Sequence, residues 1–246
     1  MDGMSGSPLI VALDHAAPEA ARACVRALDG SAERYKVGSV LFTSAGPAIV
    51  RELVERGLGV FLDLKLHDTP ATVAGAVSAA ADLGVEMLTV HAAGGPEMIA
   101  AARAAAGRSS GAARSRGPRL LAVTVLTSLD EAVWSVVSGP GGRPISESVS
   151  ALAALAVEAG ADGLVCSAHE VARLRAELGP GPLLVVPGIR PAWSGSDHAG
   201  QARTAEPRTA LSAGASHLVL GRAVTADPDP RGALDRIAAE VAAGAP

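Results

Sequence analysis

The stretch Phe61–Thr72 reads FLDLKLHDTPAT, a run whose apolar residues Phe61, Leu62, Leu64 and Leu66 are interrupted by Asp63, Lys65, His67 and Asp68. A buried strand that ends in alternating charges is a chemical pattern before it is a packing pattern. Residues two apart on a strand share a face, so Asp63 and Lys65 project together. Lys36, in the preceding apolar run, is expected beside Asp63. Charges of alternating sign at Lys36, Asp63, Lys65 and Asp68 offset one another's desolvation and keep one another ionised. Flanking carboxylates hold Lys65 protonated and therefore ready to act as an acid. The competing reading is a purely structural ion-pair network.

The cation count sharpens this. Of 21 Lys and Arg residues in 246, only Lys36 and Lys65 are lysines. Arginine is effectively never deprotonated, whereas an ammonium can give up its proton in a tuned site. A position that stays lysine in such a chain points to a task arginine cannot perform. DLKLHD also contains an Asp/His/Asp set that could ligate a divalent ion. The lysine between those carboxylates would repel a cation, and no HExxH or Cys/His spacing supports a metal.

The elements that must position these residues follow a steady rhythm. Apolar runs at Leu9–Leu13, Arg34–Val37, Gly59–Leu64, Met87–Val90, Leu120–Val125, Gly163–Cys166, Leu183–Val186 and His217–Leu220 are mostly continuous, as for parallel strands covered on both faces. Ala-rich amphipathic segments alternate with them: Pro18–Leu28, Pro47–Arg56, Pro70–Leu83, Pro96–Ala106, Ser146–Ala159, His169–Leu178, Pro207–Ala213 and Arg231–Ala243. Several open on proline and close near glycine. Eight such units predict an α/β fold, a (β/α)8 TIM barrel spanning residues 1–246 as a single domain. A doubly wound sheet fits less well, because no GxGxxG follows the first strand and no GxxxxGK[ST] occurs.

In such a barrel, function collects at the C-terminal strand ends. Those ends carry Asp14, Lys36, Asp63 with Lys65, His91, Thr127 with Ser128, Ser167, Arg190 and Arg222. Ser167 is expected to cap the next helix, and His91 to satisfy a core hydrogen bond. His67 points away from the charged face and is given no role. Arg190 (VVPGIRP) and Arg222 (LVLGRAV, after Gly221) end the seventh and eighth runs, the recurrent phosphate side of this fold. Glycine before arginine exposes backbone N–H groups to an anion while the guanidinium supplies charge. A phosphorylated substrate is therefore expected. Two polar segments, Leu129–Pro144 and Pro191–Ala205, read as long loops of the kind that serve as lids.

Composition excludes other classes. The hydrophobic fraction of 49% against 19% charged residues rules out global disorder. A net charge of −4 argues against broad nucleic-acid binding. The basic cluster Arg103–Arg119 lacks interleaved aromatics and reads as a solvated loop. The N-terminal segment has no basic n-region, and no apolar run approaches a membrane span. Cys24 and Cys166 read as buried free thiols in a reducing cytoplasm.

The residues also resemble a family. DLKLHDTPAT is similar to the DxKxxD[IT]PxT signature of the orotidine 5′-phosphate decarboxylases. Further matches run in order along the chain: ALD at Asp14, YKVG at Lys36, AVTVLTS at Thr127, GLVCSAHE at Ser167, PGIRP at Arg190 and LVLGRAVTADPDP at Arg222. The resemblance implies metal- and cofactor-free decarboxylation of orotidine 5′-monophosphate to uridine 5′-monophosphate, the last step of pyrimidine synthesis. It implies that Lys65 protonates C6 and that Asp63 sits against the substrate carboxylate. Lys36 would tie Asp63 to the ribose, and Asp14 would accept a ribose hydroxyl. Thr127 and Ser128 would face the pyrimidine, with Arg190, Gln201, Gly221 and Arg222 on the phosphate side. Asp68 and Thr72 would enter the site of a second subunit, which implies a homodimer with shared sites. Thr69, where the family often has Ile, and the long Arg-rich stretch before the fifth strand are departures outside the charged quartet. Two rivals remain. One is a metal-dependent sugar-phosphate enzyme of the same superfamily, which carries an acidic residue where Lys36 stands. The other is a catalytically silent phosphate-binding barrel.

Overall fold

The eight apolar runs become strands in a computed structural model that describes residues 6–107, 117–194 and 205–243. They are β1 (Leu9–Ala12), β2 (Arg34–Gly38), β3 (Gly59–Leu66), β4 (Met87–His91), β5 (Arg119–Val123), β6 (Gly163–Val165), β7 (Leu183–Val186) and β8 (His217–Leu220). Each pairs in parallel with its sequence neighbour, and β8 returns to β1 to close the barrel. The α/β reading, a (β/α)8 TIM barrel, is the observed architecture.

Parallel strands need long crossovers, and helices supply them. They are α1 (Pro18–Ala27), α2 (Ser39–Ala45), α3 (Ala48–Glu55), α4 (Pro70–Asp82), α5 (Gly95–Ala106), α6 (Glu131–Val137), α7 (Ile145–Glu158), α8 (Val171–Leu178), α9 (Pro207–Ser212), α10 (Arg222–Thr225) and α11 (Pro230–Ala242). Proline opens α1, α4, α9 and α11, where its fixed φ suits the first turn and its missing N–H is not needed.

Strand alternation divides the apolar residues into two cores. Leu9, Val11 and Leu13 join the large cluster between sheet and helices, whereas Ile10 and Ala12 join Phe61, Met87, Leu121, Val185 and Val219 inside the barrel. At about 1.5–3 kcal/mol for each large aliphatic or Phe side chain removed from water, this interior plug is a firm floor for whatever lies above it. The opposite, N-terminal rim holds a buried ion pair, Arg34 Nε to Glu86 Oε1 at 3.1 Å, close to the start of β8 at His217.

Three expectations are corrected. The segment 129–144 is not a plain loop, because α6 forms within it. Asp130 caps that helix by accepting from the Val133 N–H, and the Glu131 carboxylate accepts from the Ile145 N–H. Trp134 Nε1 then donates to the Arg143 carbonyl and the Ser148 hydroxyl, tying the segment down. Ser167 does not cap α8 with its hydroxyl, which is buried without a partner; instead the Glu170 carboxylate accepts from the Ser167 N–H. The short helix α2 fills what read as the connection after the second strand. Of the Arg103–Arg119 cluster, residues 108–116 lie outside the described residues, as do 195–204 of the second long polar segment.

Candidate active site

β2 and β3 pair in register, with Lys36 opposite Phe61 and Gly38 opposite Asp63. The lysine therefore leaves its strand two residues short of Asp63 and reaches forward to it. Lys36 Nζ lies 2.7 Å from Asp14 Oδ1 and 3.7 Å from Asp63 Oδ2. Gly38 leaves room for this pair, since a Cβ there would stand 3.0 Å from Lys36 Nζ and 3.2 Å from Asp14 Oδ1.

Asp63 and Lys65 do meet, but not on a regular strand. Between β3 and β4 the register runs from Leu62–Leu88 to Leu66–Val90, so three residues of β3 stand opposite one residue of β4, Thr89. Lys65 is the one non-glycine residue at positive φ among the described residues, at +52°. A lysine gains nothing locally from the left-handed region, so the surroundings impose the conformation. The outcome is a two-pronged ion pair, with Lys65 Nζ at 2.8 Å from each carboxylate oxygen of Asp63. Thr89, fully buried, accepts from the Lys65 N–H at 2.8 Å and donates to Asp63 Oδ1 at 3.0 Å.

The burial differs from the expectation of four sheltered charges. Asp63 is 8% exposed, and the Lys36 side chain is nearly as covered. Lys65 is half-buried, and Asp14 and Asp68 are exposed. Asp68 takes no part in the cluster; its carboxylate accepts from the Thr69 N–H at 2.6 Å, and Thr72 sits beside Thr69 with hydroxyls 3.0 Å apart.

A cavity of about 360 Å³ opens over this cluster, within the range of small-molecule sites. Asp14, Lys36, Asp63, Lys65, Thr127, Arg190, Gly221 and Arg222, all expected from the sequence, line it. Ser128, Asp68 and Thr72 are not among its lining residues, and Gln201 lies outside the described residues. The apolar floor, including Ala12, Phe61 and Val219 of the interior plug, was not foreseen as part of the site. Arg190 is held by pairing of Ile189 with Ala205, its N–H donating to the Ala205 carbonyl at 2.9 Å. Nothing stands within 4 Å of a Cβ added at Gly221, so the backbone there faces open space. A second cavity of about 290 Å³ shares Arg190 and Arg222 and adds Trp193, over whose ring Arg236 stacks at 3.8 Å.

Near the charges, His91 packs against His67 with ring centroids 5.5 Å apart and planes tilted by 39°, so the contact made by His91 is a ring, not a core hydrogen bond. Burial lowers the His91 pKa, and His67 and the Lys65 ammonium push it the same way. Among the described residues there is no group of three or more His, Cys, Asp or Glu arranged to hold a metal ion. The arrangement can place an ammonium proton beside a buried carboxylate and hold an anion at two guanidinium groups.

Comparison with known proteins agrees with that geometry. The chain matches the family described as Orotidine 5′-phosphate decarboxylase / HUMPS family over residues 7–237. It is 50% identical to the orotidine 5′-phosphate decarboxylase of Nitrosococcus oceani over 238 residues, 97% of this chain and 99% of that protein. It is 51% identical to the protein of the same name from Anaeromyxobacter sp. (strain K) over 231 residues, 94% of this chain and 96% of that one. The crystal structure of orotidine 5′-phosphate decarboxylase from Lactobacillus acidophilus superposes with a TM-score of 0.85 at 38% identity, covering 96% of this chain and 99% of that one. A barrel with this charged cluster at its mouth, sharing half its residues with such proteins over nearly their full length, belongs to the orotidine 5′-phosphate decarboxylase / HUMPS family.

Proposed function

We propose that this protein decarboxylates orotidine 5′-monophosphate to uridine 5′-monophosphate without metal or cofactor, Lys65 giving its proton to C6 of the pyrimidine. One observation carries the reading: the Lys65 ammonium sits 2.8 Å from both oxygens of buried Asp63, in a cavity that Arg190 and Arg222 also line. Breaking the bond between C6 and the carboxylate leaves an electron pair on C6 with no conjugated sink, so the barrier must fall by electrostatics and positioning. A fixed ammonium ~4 Å from that pair contributes ~4 kcal/mol at an effective dielectric of ~20. That is roughly a thousandfold in rate at 1.36 kcal/mol per factor of ten. The Nζ–H proton then moves to C6 as carbon dioxide departs, and the neutral amine recovers a proton from water.

The other residues take supporting places in this reading. The substrate carboxylate lies against Asp63. Lys36, bridging Asp63 and Asp14, binds the ribose, with Asp14 accepting a ribose hydroxyl. Thr127 and Ser128 face the pyrimidine. Arg190, Gly221, Arg222 and Gln201 hold the phosphate, whose binding energy fixes the reacting end. Asp68 and Thr72, exposed and outside their own cavity, reach the site of a second copy in a cytoplasmic homodimer. The single barrel domain, residues 1–246, is the catalytic unit.

The sugar-phosphate rival is disfavoured by Lys36, whose ammonium 3.7 Å from Asp63 occupies the place where a metal-binding acid would be needed. The decisive assay adds orotidine 5′-monophosphate, with and without chelator, and follows the ultraviolet absorbance of the pyrimidine. Wild-type turnover is expected to be indifferent to chelator, and Lys65→Ala is expected to keep its fold and lose turnover. Activity in Lys65→Ala near that of wild type would remove the proton donor, and chelator-sensitive turnover would move the assignment to the metal-dependent rival.

A further inference from the structure

The irregularity in β3 has a single side chain filling it. Where Asp63, Leu64 and Lys65 crowd opposite one β4 residue, the regular ladder cannot supply an acceptor for the Lys65 N–H. The Thr89 hydroxyl supplies it, at 2.8 Å. Because an amide N–H can only donate, the Thr89 oxygen accepts there and its own proton is left for Asp63 Oδ1, 3.0 Å away. One hydroxyl thus clamps both reactive residues, lysine by its backbone and aspartate by its carboxylate. It is also rigidly seated, being fully buried and carried on a β-branched residue of a central strand.

We propose that Thr89 is a positioning residue for decarboxylation: its hydroxyl holds Lys65 in the left-handed conformation and keeps Asp63 aimed when the lysine ammonium leaves it. The inference rests on the decarboxylase reading above. Lys65 Nζ takes both oxygens of Asp63, but protonating C6 requires that ammonium to turn toward substrate. Asp63 then keeps Thr89 at 3.0 Å and Lys36 at 3.7 Å. Lys36 is shared with exposed Asp14, whereas Thr89 is fixed by the barrel wall, so the hydroxyl is the contact that outlasts the proton transfer.

The test compares Thr89→Val, which keeps shape and removes the hydroxyl, with Thr89→Ser, which keeps the hydroxyl and removes a methyl. A displacement of about 1 Å at a reacting centre costs up to ~100-fold. Thr89→Val is therefore expected to lower kcat by roughly 10- to 100-fold. Its KM should stay close to wild type, because the phosphate contacts are untouched. Thr89→Ser is expected to hold most of the wild-type kcat. A purely structural role would tie both variants to thermal stability, not to hydroxyl content. Wild-type kcat in Thr89→Val overturns the proposal. So does a Thr89→Ser loss of roughly 10-fold or more in kcat, an outcome read on the serine variant alone and therefore decisive even if the valine variant does not fold. A wild-type protein that releases no carbon dioxide from orotidine 5′-monophosphate would instead overturn the parent reading.

Discussion

Arg190 and Arg222 stand on two strands' ends, yet both line the same cavity as the Lys65 ammonium. A charge-assisted bond from guanidinium to phosphate contributes ~1.5–3 kcal/mol. Arg222→Ala is accordingly expected to raise KM for orotidine 5′-monophosphate by roughly 10- to 100-fold, with a smaller effect on kcat. Steady-state kinetics decides it, and an unchanged KM would remove Arg222 from the phosphate site. At this scale the sequence was most readable where a residue type was rare. With two lysines among 21 basic residues, Lys36 and Lys65 announce themselves. Thr89 did not, because a threonine inside LTVH is an ordinary strand former. A period-two reading that placed Thr89 on the same inward face as Met87 would have found it.

Among the elements, the strands were legible nearly to the residue, since continuous β-branched and leucine runs bounded by polar turns leave little choice. Helix α6 was not. Its valines Val133, Val136 and Val137 are exposed, so it lacks the buried stripe that makes a helix readable, and its caps act through Asp130 and Glu131 side chains. The bend at Lys65 was equally hidden, because alternation gives the same pairing of Asp63 with Lys65 as the irregular strand does. At the other end of the barrel, His217 begins β8 as a residue 4% exposed, with its Nδ1 lacking a partner. Burial, aided by the Arg34 guanidinium, lowers its pKa below the ordinary value, against the opposing pull of Glu86 and the Pro8 backbone. A histidine that folds neutral costs nothing above its unfolded pKa of about 6.5. Stability is lost as pH falls below that value toward the lowered folded pKa. Urea midpoints at pH 8 and pH 5.5 should differ less in His217→Gln than in wild type. Equal differences would show that the ring does not contribute to the acid sensitivity.

For the whole molecule, a closed barrel and the gathering of Lys36, Asp63 and Lys65 into one cavity were legible in the sequence, but which charges the fold would shelter was not. Asp63 ended up buried because it sits beneath Lys36 and Lys65, whereas Asp68 lies past the last strand residue and is exposed. If Asp68 serves a neighbour's site, two inactive proteins can repair each other. Mixing equal amounts of Lys65→Ala and Asp68→Ala, with subunit exchange allowed, leaves half the molecules hybrid, and one site in each hybrid is wholly native. Roughly a quarter of wild-type turnover should return in a symmetric dimer. No recovery, once exchange has been verified by mass, would count against sharing.

The confinement of both lysines to one cavity also has a consequence for reagents. Apart from the terminal α-amino group, every primary amine of this chain lies in one cavity, within 3.7 Å of Asp63. Acylating or reductively alkylating chemistry, which elsewhere scatters over a protein's exterior, finds beyond the α-amino group only Lys36 and Lys65, so protection of those two amines by a bound ligand reads out occupancy of the cavity they line.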